Sequence, residues 1–146
     1  MSWIYYAITA AIVWGFSYAV QEKLLHKICI QSELAATYLI GFIATFLIAL
    51  STGSISKDLQ KIDSGTIKLI FTISGLSLLA NFCIASAIKN KNASLASIIE
   101  ISYPLFTILA SYLLYGGKQV NNNSIIAGLL IFSGVTLLLK SWIKIN

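Results

Sequence analysis

The sequence predicts an all-α membrane protein, a bundle of about five transmembrane helices, each about 20 residues long. Two observations carry this. Of 146 residues, 58% are hydrophobic and 10% are charged, whereas a soluble domain is about half apolar and roughly a quarter charged. The apolar residues also fall into runs long enough to cross a hydrocarbon layer about 30 Å thick. Five acids and ten lysines cannot supply the polar shell of a water-soluble globule of this length. Lipid must take its place.

The predicted helices cover residues 3–25, 34–50, 66–88, 94–115 and 124–142, and one transmembrane domain accounts for residues 1–146. The first run lacks a basic leading region and exceeds the roughly 7–15 apolar residues of a signal sequence, so it is expected to remain as a helix. Trp3, Tyr5 and Tyr6 near one end and Trp142 near the other suit the aromatic belt of a membrane interface. The longest polar connection, Ser51 to Gly65, is a loop. Asn92 is expected to cap the fourth helix, and Asn123 or Ser124 the fifth, because their side chains can accept from backbone donors that a helix start leaves unpaired. The net charge of +5 comes entirely from lysine, and those lysines stand mainly at the ends of apolar runs. They read as interfacial anchors and not as a nucleic-acid patch. Cys29 and Cys83 lie in different segments without metal-ligand spacing, so neither a disulfide framework nor a metal is expected.

No nucleophile and base, phosphate-binding glycine loop or carboxylate cluster is visible, which argues against an enzyme and against a cofactor. The single histidine, His26, reads as an interfacial residue. The informative pattern lies in the fourth segment, where Ala93, Ser97, Glu100, Pro104, Thr107 and Ser111 recur at spacings of three and four and so share one face of a continuous helix. An acid at the depth of Glu100 costs about 3 kcal/mol on insertion scales, and desolvation disfavours its charged form. Such a group suits a proton carrier or a site exchanging a proton for a cation. A carboxyl held protonated by a hydrogen bond to a neighbouring helix, for instance to Asn81, is the structural alternative. Pro104 removes the donor that would reach the carbonyl of Glu100, so a kink is expected there.

Ser74, Ser77, Asn81 and Ala85 form a second small polar stripe in the third segment. In the first, Gly15, Tyr18 and Glu22 line up near Trp14, with Glu22 and Lys23 either reaching to the interface or facing a cavity. Gly41, Ala44, Thr45, Gly128 and Gly134 have the composition of close helix packing in lipid.

Two stretches resemble the EamA-type domain of the drug/metabolite transporter superfamily. One is Ala11-Ile12-Val13-Trp14-Gly15-Phe16-Ser17 followed by Lys23; the other runs from Ala93-Ser94-Leu95-Ala96-Ser97 through Pro104-Leu105-Phe106 to Ala127-Gly128 and Gly134-Val135-Thr136-Leu137. The sequence departs from that pattern at Gly116-Gly117, where many relatives have glycine-glutamate, and lacks an arginine in the second helix. The resemblance implies a helical bundle that is one half of an inverted-repeat transporter fold, with a substrate cavity lined by several helices and no cofactor. Trp14, Tyr18, Asn81, Ser97, Glu100 and Thr107 are the expected substrate- or proton-binding residues, with Pro104 at the kink.

The expected function is secondary transport of a polar or cationic small molecule across the cell membrane, the bacterial inner membrane in particular, with protons coupled through Glu100. The alternative is a non-transporting membrane subunit packed against a larger partner. Many relatives contain two such units, and the resemblance implies that one unit works as a homodimer. Five spans would put Lys57, Lys61, Lys68 and Lys118 on one side and Lys23, Lys27, Lys89, Lys91, Lys140 and Lys144 on the other. So small a bias, narrowed further by the amino terminus, permits insertion in both directions and hence an antiparallel pair.

Overall fold

The computed structural model describes residues 2–116 and 121–143, with side chains for 3–116 and 121–140. Gly117, Lys118 and Lys144 lie outside the described residues, as does the side chain of Trp142. Among those described the chain is helical, with no strand: α1 (Ser2–Leu25), α2 (Ile30–Ser51), α3 (Ser54–Leu59), α4 (Ser64–Asn90), α5 (Ala93–Glu100), α6 (Tyr103–Tyr115) and α7 (Asn122–Ile143). Five stretches are long and apolar enough to cross a membrane: Trp3–Leu25, Ile30–Ser51, Ser64–Asn90, Ala93–Tyr115 and Asn122–Lys140. In lipid a helix satisfies its backbone internally, which is why these apolar runs adopt one.

The helix ends differ from the sequence expectation in physically instructive ways. α2 starts at Ile30, four residues before the expected Leu34, because Cys29 is extended at its N-cap and Gln31, Ser32 and Glu33 are accommodated in the first turn. α7 starts at Asn122, and its cap is Asn121, whose side-chain oxygen accepts from the backbone of Ser124 at 2.7 Å. The expected Asn123 and Ser124 are therefore already helical. Between Ser51 and Gly65 the short α3 forms, entered through Gly53 at φ 66°, a left-handed conformation that glycine adopts without a side-chain penalty.

The fourth apolar segment is divided into α5 and α6 at Ile101–Ser102. Pro104 is the second residue of α6, where its missing N–H is not required. The Ser102 amide turns back to the carbonyl of Ile99 at 3.2 Å, and that of Leu105 reaches Ser102 at 3.2 Å. The polar face expected of one continuous helix is thus split, with Ala93, Ser97 and Glu100 on α5 and Pro104, Thr107 and Ser111 on α6.

The chain divides into two compact units, Met1–Ala93 and Ser94–Asn146. In the first, α1, α2 and α4 pack against one another. Its buried residues are Leu25, Glu33, Leu34, Ala85, Ile88 and Ala93, which sit at the end of α1, the start of α2, the end of α4 and the start of α5. In the second unit α6 packs on α7. A Cβ at Gly128 would stand 2.7 Å from the Leu105 Cδ2, so Gly128 is a point of close helix approach. Gly41 and Gly134 are not, since a Cβ there meets nothing within 4 Å. Elsewhere the helices expose apolar side chains such as Phe16, Phe71 and Leu114, each about three-quarters accessible (74%, 76% and 75%), a surface suited to lipid.

α4 is anchored at its start by Asp63, which accepts from the Thr66 backbone at 2.8 Å and from the Thr66 hydroxyl. These bonds, the hydroxyl's first, hold the Asp63 carboxyl below the usual carboxylate range. A depressed value means that the cap's contribution is complete at neutral pH and is lost as the pH falls through the lowered value. Asp63→Ala should speed amide exchange in the first turn of α4 by roughly fivefold, while Asp63→Asn, which keeps an acceptor, should stay near wild type. Acidifying the wild type should reproduce the alanine effect after correction for intrinsic exchange. Equal exchange in wild type and Asp63→Ala at neutral pH would show that the cap does not hold this turn.

Candidate functional site

A cavity of about 340 Å³ lies within the first unit, bordered by Trp14, Ser17 and Gln21 of α1, Glu33, Thr37 and Tyr38 of α2, and Asn81 of α4. Spacings of three and four place the α1 residues on one face, and the step from Trp14 to Gln21 lets them line about 10 Å of wall. Glu33 and Thr37 are likewise one turn apart on α2.

Glu33 is 5% exposed, the only buried charged or polar residue among those described. Gln21 Nε2 donates to its Oε2 at 3.2 Å, and Thr37 Oγ1 donates to Oε1 at 3.1 Å. Its position in the first turn of α2 adds the partial positive charge of a helix start. An ionised carboxylate offers about four acceptor sites, so two donors leave capacity for a third partner. The aromatic wall is built from Trp14, whose ring lies 5.6 Å from that of Tyr18 at a tilt of 40°, and from Tyr38. Indole and phenol faces attract cations. Tyr38 Oη and Asn81 Nδ2 both donate to the Ser77 carbonyl, at 3.4 and 2.8 Å. The first of these is long and weak; the second commits the nitrogen of Asn81 to its own helix and leaves the amide oxygen as the acceptor it can offer.

Of the residues singled out by sequence, Trp14 and Asn81 border this cavity, and half-buried Tyr18 supports it through Trp14. Ser97, Glu100, Pro104 and Thr107 belong to the second unit. The hydroxyls of Ser97 and Thr107 donate to the carbonyls of Ser94 and Tyr103, at 3.0 and 3.2 Å, the local solution available to hydroxyls in apolar surroundings. Glu100 is half-buried at the last position of α5, and among the described residues its carboxyl makes no hydrogen bond. Glu22 makes a contact that the sequence did not suggest. Its Oε2 accepts from the backbone of Ala93 at 2.8 Å, so α1 supplies a carboxylate to the first residue of α5.

Glu33 escaped the sequence reading because it lies just ahead of residue 34, where the second helix was expected to begin. The recoverable signal was the pairing of Glu33 with Thr37 four residues on, an acid and a hydroxyl on one face of an apolar run.

Compared with known families, residues 1–140 match the model of the EamA-like transporter family. No curated protein and no solved structure gives a significant match.

Proposed function

The chain belongs to the EamA-like transporter family, a multi-pass membrane transporter of the drug/metabolite type, and from that premise we propose that it is a secondary transporter of a small cationic molecule across the cell membrane, in particular the bacterial inner membrane. The observation that carries this reading is the buried Glu33 carboxyl at a cavity walled by Trp14 and Tyr38. A carboxylate removed from water is costly unless paired. Two neutral donors and a helix start compensate it only in part, and a cation would complete the set. Aromatic faces and an acid together favour a positively charged ligand over a neutral or anionic one.

Proton coupling is assigned to Glu100, whose carboxyl is half-buried beside the interruption between α5 and α6. Ser97 and Thr107 flank it on those two helices. In proteoliposomes at neutral pH, Glu33→Gln should weaken the apparent affinity for a cationic substrate at least tenfold, about 1.4 kcal/mol. Glu100→Gln should leave affinity nearly unchanged and flatten the pH dependence of uptake. Wild-type affinity in Glu33→Gln would remove the cavity from the mechanism; a wild-type pH profile in Glu100→Gln would remove the coupling role.

The working unit is proposed to be an antiparallel homodimer, a reading supported by the nearly balanced lysines on the two sides of the five spans. Cys29 provides a test of orientation. It lies between the spans of α1 and α2, and hydrogen bonding to Ser32, whose hydroxyl is 3.0 Å from its sulfur, holds the thiol below its ordinary range. Its reactive thiolate is therefore more populated near neutral pH than that of an ordinary cysteine. In cells producing a Cys83→Ala variant, a membrane-impermeant maleimide should label roughly half of the copies under dual insertion, and permeabilisation should expose the rest. Labelling of all copies, or of none before permeabilisation, would show one orientation and exclude the antiparallel homodimer.

A further inference from the structure

The cavity at Glu33 shares two lining residues of α2, Leu34 and Tyr38, with a second space. That space is an open groove of about 510 Å³ between α2 and α4, completed by Ala35, Gly75, Leu78 and Phe82. The groove is hydrocarbon apart from Gln31 in the first turn of α2 and the hydroxyl of Tyr38. Gly75 faces open space, since a Cβ there would meet nothing within 4 Å. Its lining residues Leu78, Leu79 and Phe82 are 53%, 61% and 41% exposed, so the groove faces outward where lipid surrounds the bundle, while Leu34 is 6% exposed.

We propose that cavity and groove form one composite site for an amphiphilic organic cation, whose charged head sits beside Glu33 while its hydrocarbon tail lies between α2 and α4. This rests on the reading of the Glu33 cavity as a cation site and adds the class of substrate. The charged head and the apolar tail each meet their complement, and the shared lining residues Leu34 and Tyr38 bring the two within reach of one molecule. Such a ligand need not cross water to bind. Its tail passes from lipid into an apolar groove, a nearly neutral transfer, while its head exchanges the interface for the acid and the aromatic wall.

The test uses the full chain in zwitterionic nanodiscs, with Trp3→Phe and Trp142→Phe leaving Trp14 as the fluorescent reporter. Tetramethylammonium and dodecyltrimethylammonium are titrated, affinities for the latter being expressed per lipid to remove partitioning. Both should change Trp14 emission saturably, and Glu33→Gln should weaken both at least tenfold. Gly75→Phe, which fills the groove from α4, should weaken only the dodecyl ligand, again at least tenfold. Ala35→Leu narrows the same groove from α2, and the comparison is read on whichever variant keeps the tetramethylammonium response. If that variant binds the dodecyl ligand as wild type does, the groove is not part of the site and the proposal fails, although the cation cavity stands. Dodecyl binding that survives Glu33→Gln would mean that the groove holds acyl chains without regard to charge, which also overturns it. If neither cation affects Trp14 in the otherwise wild-type chain, the reading of the cavity falls together with the proposal.

Discussion

A carboxylate that has left water must be compensated where it sits, and the first unit is arranged around compensating Glu33. Three contributions converge on it: the start of α2, the amide of Gln21 and the hydroxyl of Thr37. Each depends on the fold. The helix start is available because Cys29 is extended and α2 begins at Ile30. Gln21 reaches across because the last turn of α1 lies against the first turn of α2, where Leu25 and Leu34 are also buried. Thr37 follows from the period of the helix. A second acid, Glu22, reinforces the same end of the unit by holding the backbone of Ala93, so the C-terminal turn of α1 is tied both to α2 and to the first residue of α5.

Lipid offers no hydrogen-bonding partner, and several hydroxyls of the described spans meet that restriction locally. Hydroxyls of Thr45, Thr72, Ser86, Ser133 and Thr136 donate to carbonyls of their own helices, and no buried side-chain nitrogen or oxygen among the described residues is left without a partner. Pro104, the sequence's one proline, has no backbone N–H to offer a continuous helix. The chain answers by ending α5 at Glu100 and restarting at Tyr103, with i to i+3 bonds bridging the gap. That an acid terminates one of the two half-helices is what makes this interruption chemically interesting.

Composition and apolar run length sufficed for the membrane class and the number of spans, because both follow from the thickness of the hydrocarbon layer and not from tertiary packing. The interruption at Pro104 was legible in kind, since a missing N–H acts locally; its consequence for the polar face was not, because spacing arguments assume a continuous helix. The site was half legible. Trp14 and Asn81 stood out as polar or aromatic residues inside apolar runs. Glu33 did not, because an acid at a helix start looks the same in sequence whether it faces water or a neighbouring helix, and only the approach of Gln21, twelve residues earlier in the chain, decides the matter. The role of Glu22 depended on contact with a residue 71 positions away and could not have been read from local pattern.

Whether Glu33 or Glu100 marks the position of a bound cation is decided most directly by photo-crosslinking. A small quaternary ammonium carrying a diazirine, irradiated with the purified protein in nanodiscs and mapped by peptide mass spectrometry, should attach to Trp14, Glu33, Tyr38 or Asn81, and excess unlabelled cation should suppress those adducts. Competable adducts confined to residues 97–111, with none on α1 or α2, would contradict the assignment of the substrate to the Glu33 cavity.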